Sequence, residues 1–318
     1  MQTIQQEIDE RTNLTSSNKL ELLLFRLGED ANLDRNELFG INVFKIREII
    51  PMPTITAMAG SHPHMMGVVD LRGQIIPVID LPAVTGCTSK TGLNILLITE
   101  YARSTQAFAV ESVEDIVRLD WRQVLSAEGN AVGGMVTSIA RLDGDNSDRL
   151  AQVLDVETIL RKVMPPTEPD VDSATIGPQV EIRPGAVILA ADDSLIARTM
   201  IEQGLDAMGL PFIMCKTGKE AWDQLQAISD KAMTEGKTVH DRIALVLTDL
   251  EMPEMDGFTL TRNIKQDPRF SAIPVVIHSS LTGSTNEAHV KNVGADAYVA
   301  KFVAEDLANA LRKALGKE

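Results

Sequence analysis

The sequence predicts a two-domain chain. An all-β N-terminal half built of small barrels precedes a C-terminal α/β half organised around a parallel sheet. Three observations lead there. A length of 318 residues fits two domains, each with its own core. Residues 18–163 read as many short apolar runs separated by turn residues, the pattern of barrels, which remove exposed sheet edges. From residue 185 onwards, unbroken apolar runs alternate with helical stripes, as in strands buried on both faces of a parallel sheet.

Residues 1–17 form an N-terminal arm, with Ile4 and Ile8 on a polar background, at most one short helix. Strands follow at Leu20 to Leu27, Phe39 to Val43 and Ile46 to Ile50. Gly67 to Leu71 and Ile75 to Ile79 flank Arg72-Gly73-Gln74, a hairpin signal. Leu93 to Thr99, Ala107 to Val110, Val113 to Val117 and Met135 to Leu142 continue the series. Asp143 to Asp148 has the acidic look of a calcium loop. It lacks the sixth-position glycine, and Leu154 stands where the bidentate glutamate belongs, so it reads as a hairpin turn. Leu150 to Leu154 is the return strand, and Glu157 to Val163 a closing helical turn. Residues 164–184 carry five prolines and several acids, an extended, semi-stiff linker.

In the C-terminal half the strands are Ala186 to Ala191, Pro211 to Cys215, Leu245 to Thr248, Ile273 to His278 and Ala297 to Ala300. Ile196, Met200, Ile201 and Leu205 give the first helix its apolar stripe. Thr217 to about Gly236 is the second helix, and Leu307, Leu311 and Leu315 face the core from the last. Four strand ends carry chemistry. One strand runs into Asp249, another into Asp192-Asp193, a third into Ser279-Ser280 and the last into Lys301. Carboxyl ends of strands are where open α/β sheets place ligands. Three carboxylates at one rim repel one another unless a cation joins them, and Mg²⁺ suits such a set. An ammonium and a hydroxyl beside them would hold a phosphoryl group on Asp249.

Composition narrows the field. A formal net charge of −15 argues against a nucleic-acid binder and against docking on anionic lipid. Cys87 and Cys215 have no metal-ligand or redox spacing. His62-Pro63-His64 lacks further ligands and reads as a surface loop; Gly218-Lys219 lacks the upstream glycine of a phosphate loop and reads as part of a helix. No charged-then-apolar leader and no span of about 20 apolar residues is present. A cytoplasmic protein is expected.

On the motifs around Asp192, Asp249, Ser279 and Lys301, residues 185–318 resemble a response-regulator receiver domain, with its flavodoxin-like (βα)5 fold. The resemblance implies that Asp249 is the phosphoacceptor. It implies that Asp192, Asp193, Asp249 and the backbone carbonyl of Glu251 hold Mg²⁺, that Lys301 is the family's lysine, and that Ser279 and Tyr298 are its switch pair. Phe302 follows the lysine where the family has proline, and His278 precedes the switch serine where an apolar residue is commoner.

Gly67 to Leu81, together with Phe39 to Ile49 and Phe108 to Ile116, resembles the CheW coupling domain over residues 18–163. That implies a pair of five-stranded barrels bridging chemoreceptors and a histidine kinase, with no catalytic residues. It also implies a Glu48–Arg72 charged pair between the barrels and Ile46 on the receptor-facing side. Asp70 replaces the family's usual asparagine. The two modules in this order, with Asn18 to Phe25, resemble the CheV chemotaxis coupling proteins. The implied role is an adaptor at receptor arrays whose receiver is phosphorylated by the kinase, and not an enzyme. Two readings stay open beside it: a phosphate sink that leaves coupling unchanged, and a phosphatase with an aspartyl intermediate. For the latter, Glu251 stands where the second aspartate would be.

Overall fold

The computed structural model describes residues 19–30, 36–101, 104–127, 134–144, 149–165, 179–279, 293–301 and 304–316. The N-terminal arm, most of the linker, Ser280 and Phe302 lie outside them. The chain divides into two compact units, with the main boundary after residue 166.

The first unit runs β1 (Lys19–Arg26), β2 (Glu29–Asp30), β3 (Leu38–Asn42), β4 (Ile46–Pro51), β5 (Met65–Leu71) and β6 (Gln74–Asp80). Helix α1 (Leu81–Thr85) and β7 (Cys87–Thr88) follow, then β8 (Ile95–Tyr101), β9 (Ser104–Val110) and β10 (Ser112–Asp120). β11 (Val124–Ser126), β12 (Val136–Arg141), β13 (Leu150–Leu154) and α2 (Val156–Val163) complete it. One sheet has the order β10-β1-β3-β13-β12-β11, the other β4-β8-β9-β6-β5, and β2 pairs with β7. Each large sheet encloses its own apolar core. Leu20, Leu22 and Leu24 meet Ala151 and Val153 in the first, and Val69, Ile76 and Val78 meet Leu96 and Ile98 in the second. Five strands had been expected for each barrel; among the described residues the second sheet has five strands and the first six. The first gains a sixth strand because Val124–Ser126, after the turn at Trp121–Gln123, pairs with Ser138–Ala140. The β5–β6 hairpin turns on Arg72 and Gly73, both with positive φ (54° and 84°), the geometry that matches strand twist in two-residue hairpins.

The second unit alternates strands and helices: β14 (Val187–Ala191), α3 (Leu195–Ala207), β15 (Phe212–Cys215), α4 (Gly218–Thr234) and β16 (Ile243–Thr248). α5 (Gly257–Gln266), β17 (Val275–Ser279), β18 (Ala297–Ala300) and α6 (Ala304–Ala314) follow. All five strands are parallel, in the order β15-β14-β16-β17-β18. Ile188, Leu247, Val276 and Val299 pack beneath α3 and α6 on one face, and Leu189, Val246 and Val275 pack against α4 and α5 on the other. Burial on both faces explains why these strands read as unbroken apolar runs. Met200, Ile201 and Leu205 of the expected α3 stripe are buried; its first position differs. Ala197 is buried and Ile196 only half-buried, with Arg198 next to Ala197 inside. Among the described residues, no helix is long and apolar enough to cross a membrane.

Candidate functional site

β14 and β16 are neighbours, and each ends on acid. The Asp249 amide donates to the Ala191 carbonyl at 2.9 Å, and the Asp192 amide to Cys215 at 3.2 Å. The ladder thus carries both aspartates to the same rim. Oxygens of Asp192, Asp193 and Asp249 come within 4.8 Å of one another. Asp192 and Asp249 are buried, and Asp193 is half-buried. The Leu250 amide donates to Asp249 Oδ1 at 2.7 Å and the Ser194 amide to Asp192 Oδ1 at 3.0 Å. Lys301, fully buried after the border strand β18, sends Nζ to Asp192 Oδ2 at 2.8 Å and to Asp249 Oδ2 at 2.9 Å. An ammonium out of water is costly unless paired; here two carboxylates pair it.

The loop after Asp249 is clamped. A methyl on Gly257 would lie 2.0 Å from the Asp249 carbonyl oxygen, and one on Gly218 would lie 2.1 Å from that of Met255. Only glycine lets the N-termini of α5 and α4 close on this loop. Asp256 caps α5 through the Thr259 amide at 2.6 Å, and Glu254 takes a positive φ of 66°. Glu251 is half-buried within the same loop.

Ser279 closes β17 and is buried, its carbonyl accepting from the Lys301 amide at 2.9 Å. Tyr298 is half-buried beside Leu250, Phe258 and Ile277. His278 faces the other way. Ile277 is in register with Thr248, so His278 flanks Asp249. It is buried, its Nδ1 has no hydrogen-bond partner among the described residues, and burial, then the nearby Lys301 charge, push its pKa down to about 3. Burial, then the nearby Glu220 charge, pushes the Cys215 thiol up to about 12.

In the first unit, Arg72 Nη2 donates to Glu48 Oε2 at 2.8 Å; the Arg72 side chain is 73% exposed and that of Glu48 10%. The two partners were expected on different barrels. Both belong to the second sheet: Glu48 lies on one border strand, β4, and Arg72 at the tip of the hairpin containing the other, β5. The pair fastens the curled sheet's two borders together. Ile46 is only 4% exposed. Alternation along β4 turns it inward with Glu48 and leaves Arg47 outside, so the receptor-facing position assigned to Ile46 does not hold for its side chain.

Comparison with known proteins agrees with this division. Residues 21–164 match the CheW-like domain, and residues 188–312 the response regulator receiver domain. Chemotaxis protein CheV3 of Helicobacter pylori is 31% identical over 307 residues, 94% of this chain and 96% of that protein. The chain belongs to the CheV family of chemotaxis proteins. CheV2 of the same organism is 29% identical over 325 residues, 97% of this chain and 99% of that one.

Three buried residues of this CheV-family chain escaped the sequence reading of the site. Arg198 reaches back from α3 to the turn that carries Asp192 and Asp193. The only signal was a charged residue between apolar positions on the inward stripe. The clamp glycines Gly218 and Gly257 showed only as helix and turn punctuation.

Proposed function

We propose that this chain is a chemotaxis adaptor: its CheW-like unit couples chemoreceptors to a histidine kinase, and its receiver takes a phosphoryl group from that kinase onto Asp249. The boundaries expected above, with a coupling unit at 18–163, a linker at 164–184 and a receiver at 185–318, go with this reading. So do a cytoplasmic place at receptor arrays and a coupling unit whose two sheets are its two barrels. What supports the receiver half most is the fully buried Lys301 ammonium, 2.8 Å from Asp192 and 2.9 Å from Asp249. The reaction is positioning and charge stabilisation. Asp249 Oδ attacks the phosphorus of a phosphohistidine, an O–P bond forms, and the P–N bond breaks with its electron pair returning to the imidazole. Lys301 stays against the transferred oxygens, and Ser279 supplies a hydroxyl donor.

The donor set fits Mg²⁺. It is all oxygen, with three convergent carboxylates of the kind that holds this hard cation. Asp192, Asp193, Asp249 and the Glu251 carbonyl would hold it, and it would neutralise phosphoryl oxygens. The protein is an adaptor assisting its own phosphorylation, not an enzyme with an outside substrate. The added charge, roughly −1.5 to −2, draws Ser279 and Tyr298 towards the site and changes how the receiver meets the kinase or the coupling unit.

The test is phosphotransfer from labelled chemotaxis kinase with Mg²⁺. Wild type is expected to take label rapidly, and Asp249→Asn none. Full labelling of Asp249→Asn overturns the assignment. If a phosphate-locked receiver leaves kinase affinity unchanged, the phosphate-sink reading replaces regulated coupling.

A further inference from the structure

Behind the acidic rim lies a second buried cation. Arg198, on the first helix of the receiver, is 5% exposed. Its Nη1 donates to the carbonyl oxygens of both Asp192, at 3.0 Å, and Asp193, at 2.8 Å. The guanidinium therefore grips the main chain of two successive residues. The same turn is braced from its other side by the Ser194 amide on Asp192 Oδ1, at 3.0 Å, and by the Ser194 cap on the Ala197 amide, at 3.5 Å. Carbonyls fixed in this way fix the Cα–Cβ directions of Asp192 and Asp193.

We propose that Arg198 is a positioning residue for the cation site: it holds the Asp192–Asp193 turn so that both carboxylates converge with Asp249. This rests on the reading above that the rim takes Mg²⁺.

Two effects of Arg198 on a bound cation have opposite signs, which makes the role testable. As a charge, the guanidinium repels Mg²⁺. Three carboxylates against Lys301 and Arg198 leave the rim one net negative charge, and removing Arg198 would make it more negative and more attractive. As a brace, Arg198 keeps the carboxylates aimed, and removing it would weaken binding. Ligand orientation by surrounding groups changes metal affinity by about 10- to 100-fold. The brace is expected to win, because a ligand turned away loses its contact whatever the surrounding field.

The experiment is calorimetric titration of the full chain with MgCl₂, comparing wild type, Arg198→Met, Arg198→Lys and Asp193→Asn, each also melted in EDTA. Wild type is expected to bind, and Arg198→Met about 10-fold or more weaker despite its added net negative charge. Arg198→Lys, which keeps the charge and a donor, should fall between them. Equal or tighter binding by Arg198→Met, whatever its melting temperature, overturns the proposal while leaving the cation site standing. If Arg198→Met fails to fold, Arg198→Lys decides: wild-type affinity overturns the proposal and weakened binding supports it. No binding by wild type, with Asp193→Asn indistinguishable from it, overturns the cation reading and the proposal with it.

Discussion

The two units of this chain pair their buried acids differently. The receiver gathers charge out of water: Asp192, Asp249, Arg198 and Lys301 are each 5% exposed or less. The coupling unit buries carboxylates too, Glu21 and Glu48 among them, but the cations that meet these two, Arg118 and Arg72, stay 45% and 73% exposed. Coulomb interactions that are weak in water grow several-fold away from it. A buried set of charges therefore responds more strongly to a change of charge than a pair with one exposed partner.

Removing Lys301 should break the buried arrangement most severely. Lys301→Met leaves two buried carboxylates without their ammonium, a class of change that costs about 3–5 kcal/mol. In Mg²⁺-free urea titrations, with Trp222 as reporter in a Trp121→Phe background, the receiver transition should shift by that order. The coupling-unit transition should stay in place. A shift below about 1 kcal/mol would erase the contrast drawn between the units.

A smaller effect comes from His278. Its folded pKa is depressed to about 3, against roughly 6.5 when unfolded. The unfolded chain takes up a proton below that value and the folded chain does not, so stability falls as pH drops from 6.5 towards 3. The loss attributable to His278 is about 2 kcal/mol by pH 5. Urea midpoints at pH 7 and pH 5 should separate less in His278→Val than in wild type. An identical separation would mean that the imidazole is not held neutral.

Arg72→Ala should affect stability least, by about 1 kcal/mol or less, while weakening binding of the full chain to the kinase or receptors in a pull-down with purified partners. Unchanged binding would remove this hairpin from the docking surface and leave its ion pair a fastening of the sheet.

The parallel sheet was legible because burial on both faces forces unbroken apolar runs, and because Asp249, Asp192 and Lys301 each follow such a run directly. Ser279 was legible for the same reason, although it closes β17 rather than following it. Arg198 was not, since helical periodicity marks inward positions as apolar and cannot anticipate two carbonyls waiting there. Long-range pairing was equally hidden: Ala151–Val153 lies parallel to Leu38–Gly40, across more than a hundred residues, and no local signal encodes that. Ile46 shows the limit of family likeness, which transfers a position without its burial. Ile46-Arg47-Glu48-Ile49-Ile50 does not alternate cleanly, so the sequence did not mark Ile46 as inward.

Lys301 has a mechanical consequence. It follows β18, which has a single neighbour in the sheet, yet its ammonium ends at the tips of β16 and β14. Its stem crosses the end of β17, and its amide is tied to Ser279 there. One side chain thus works as a guy rope from the border of the sheet to its middle. A single side chain therefore joins the Asp249 oxygens to a strand two places away in the sheet.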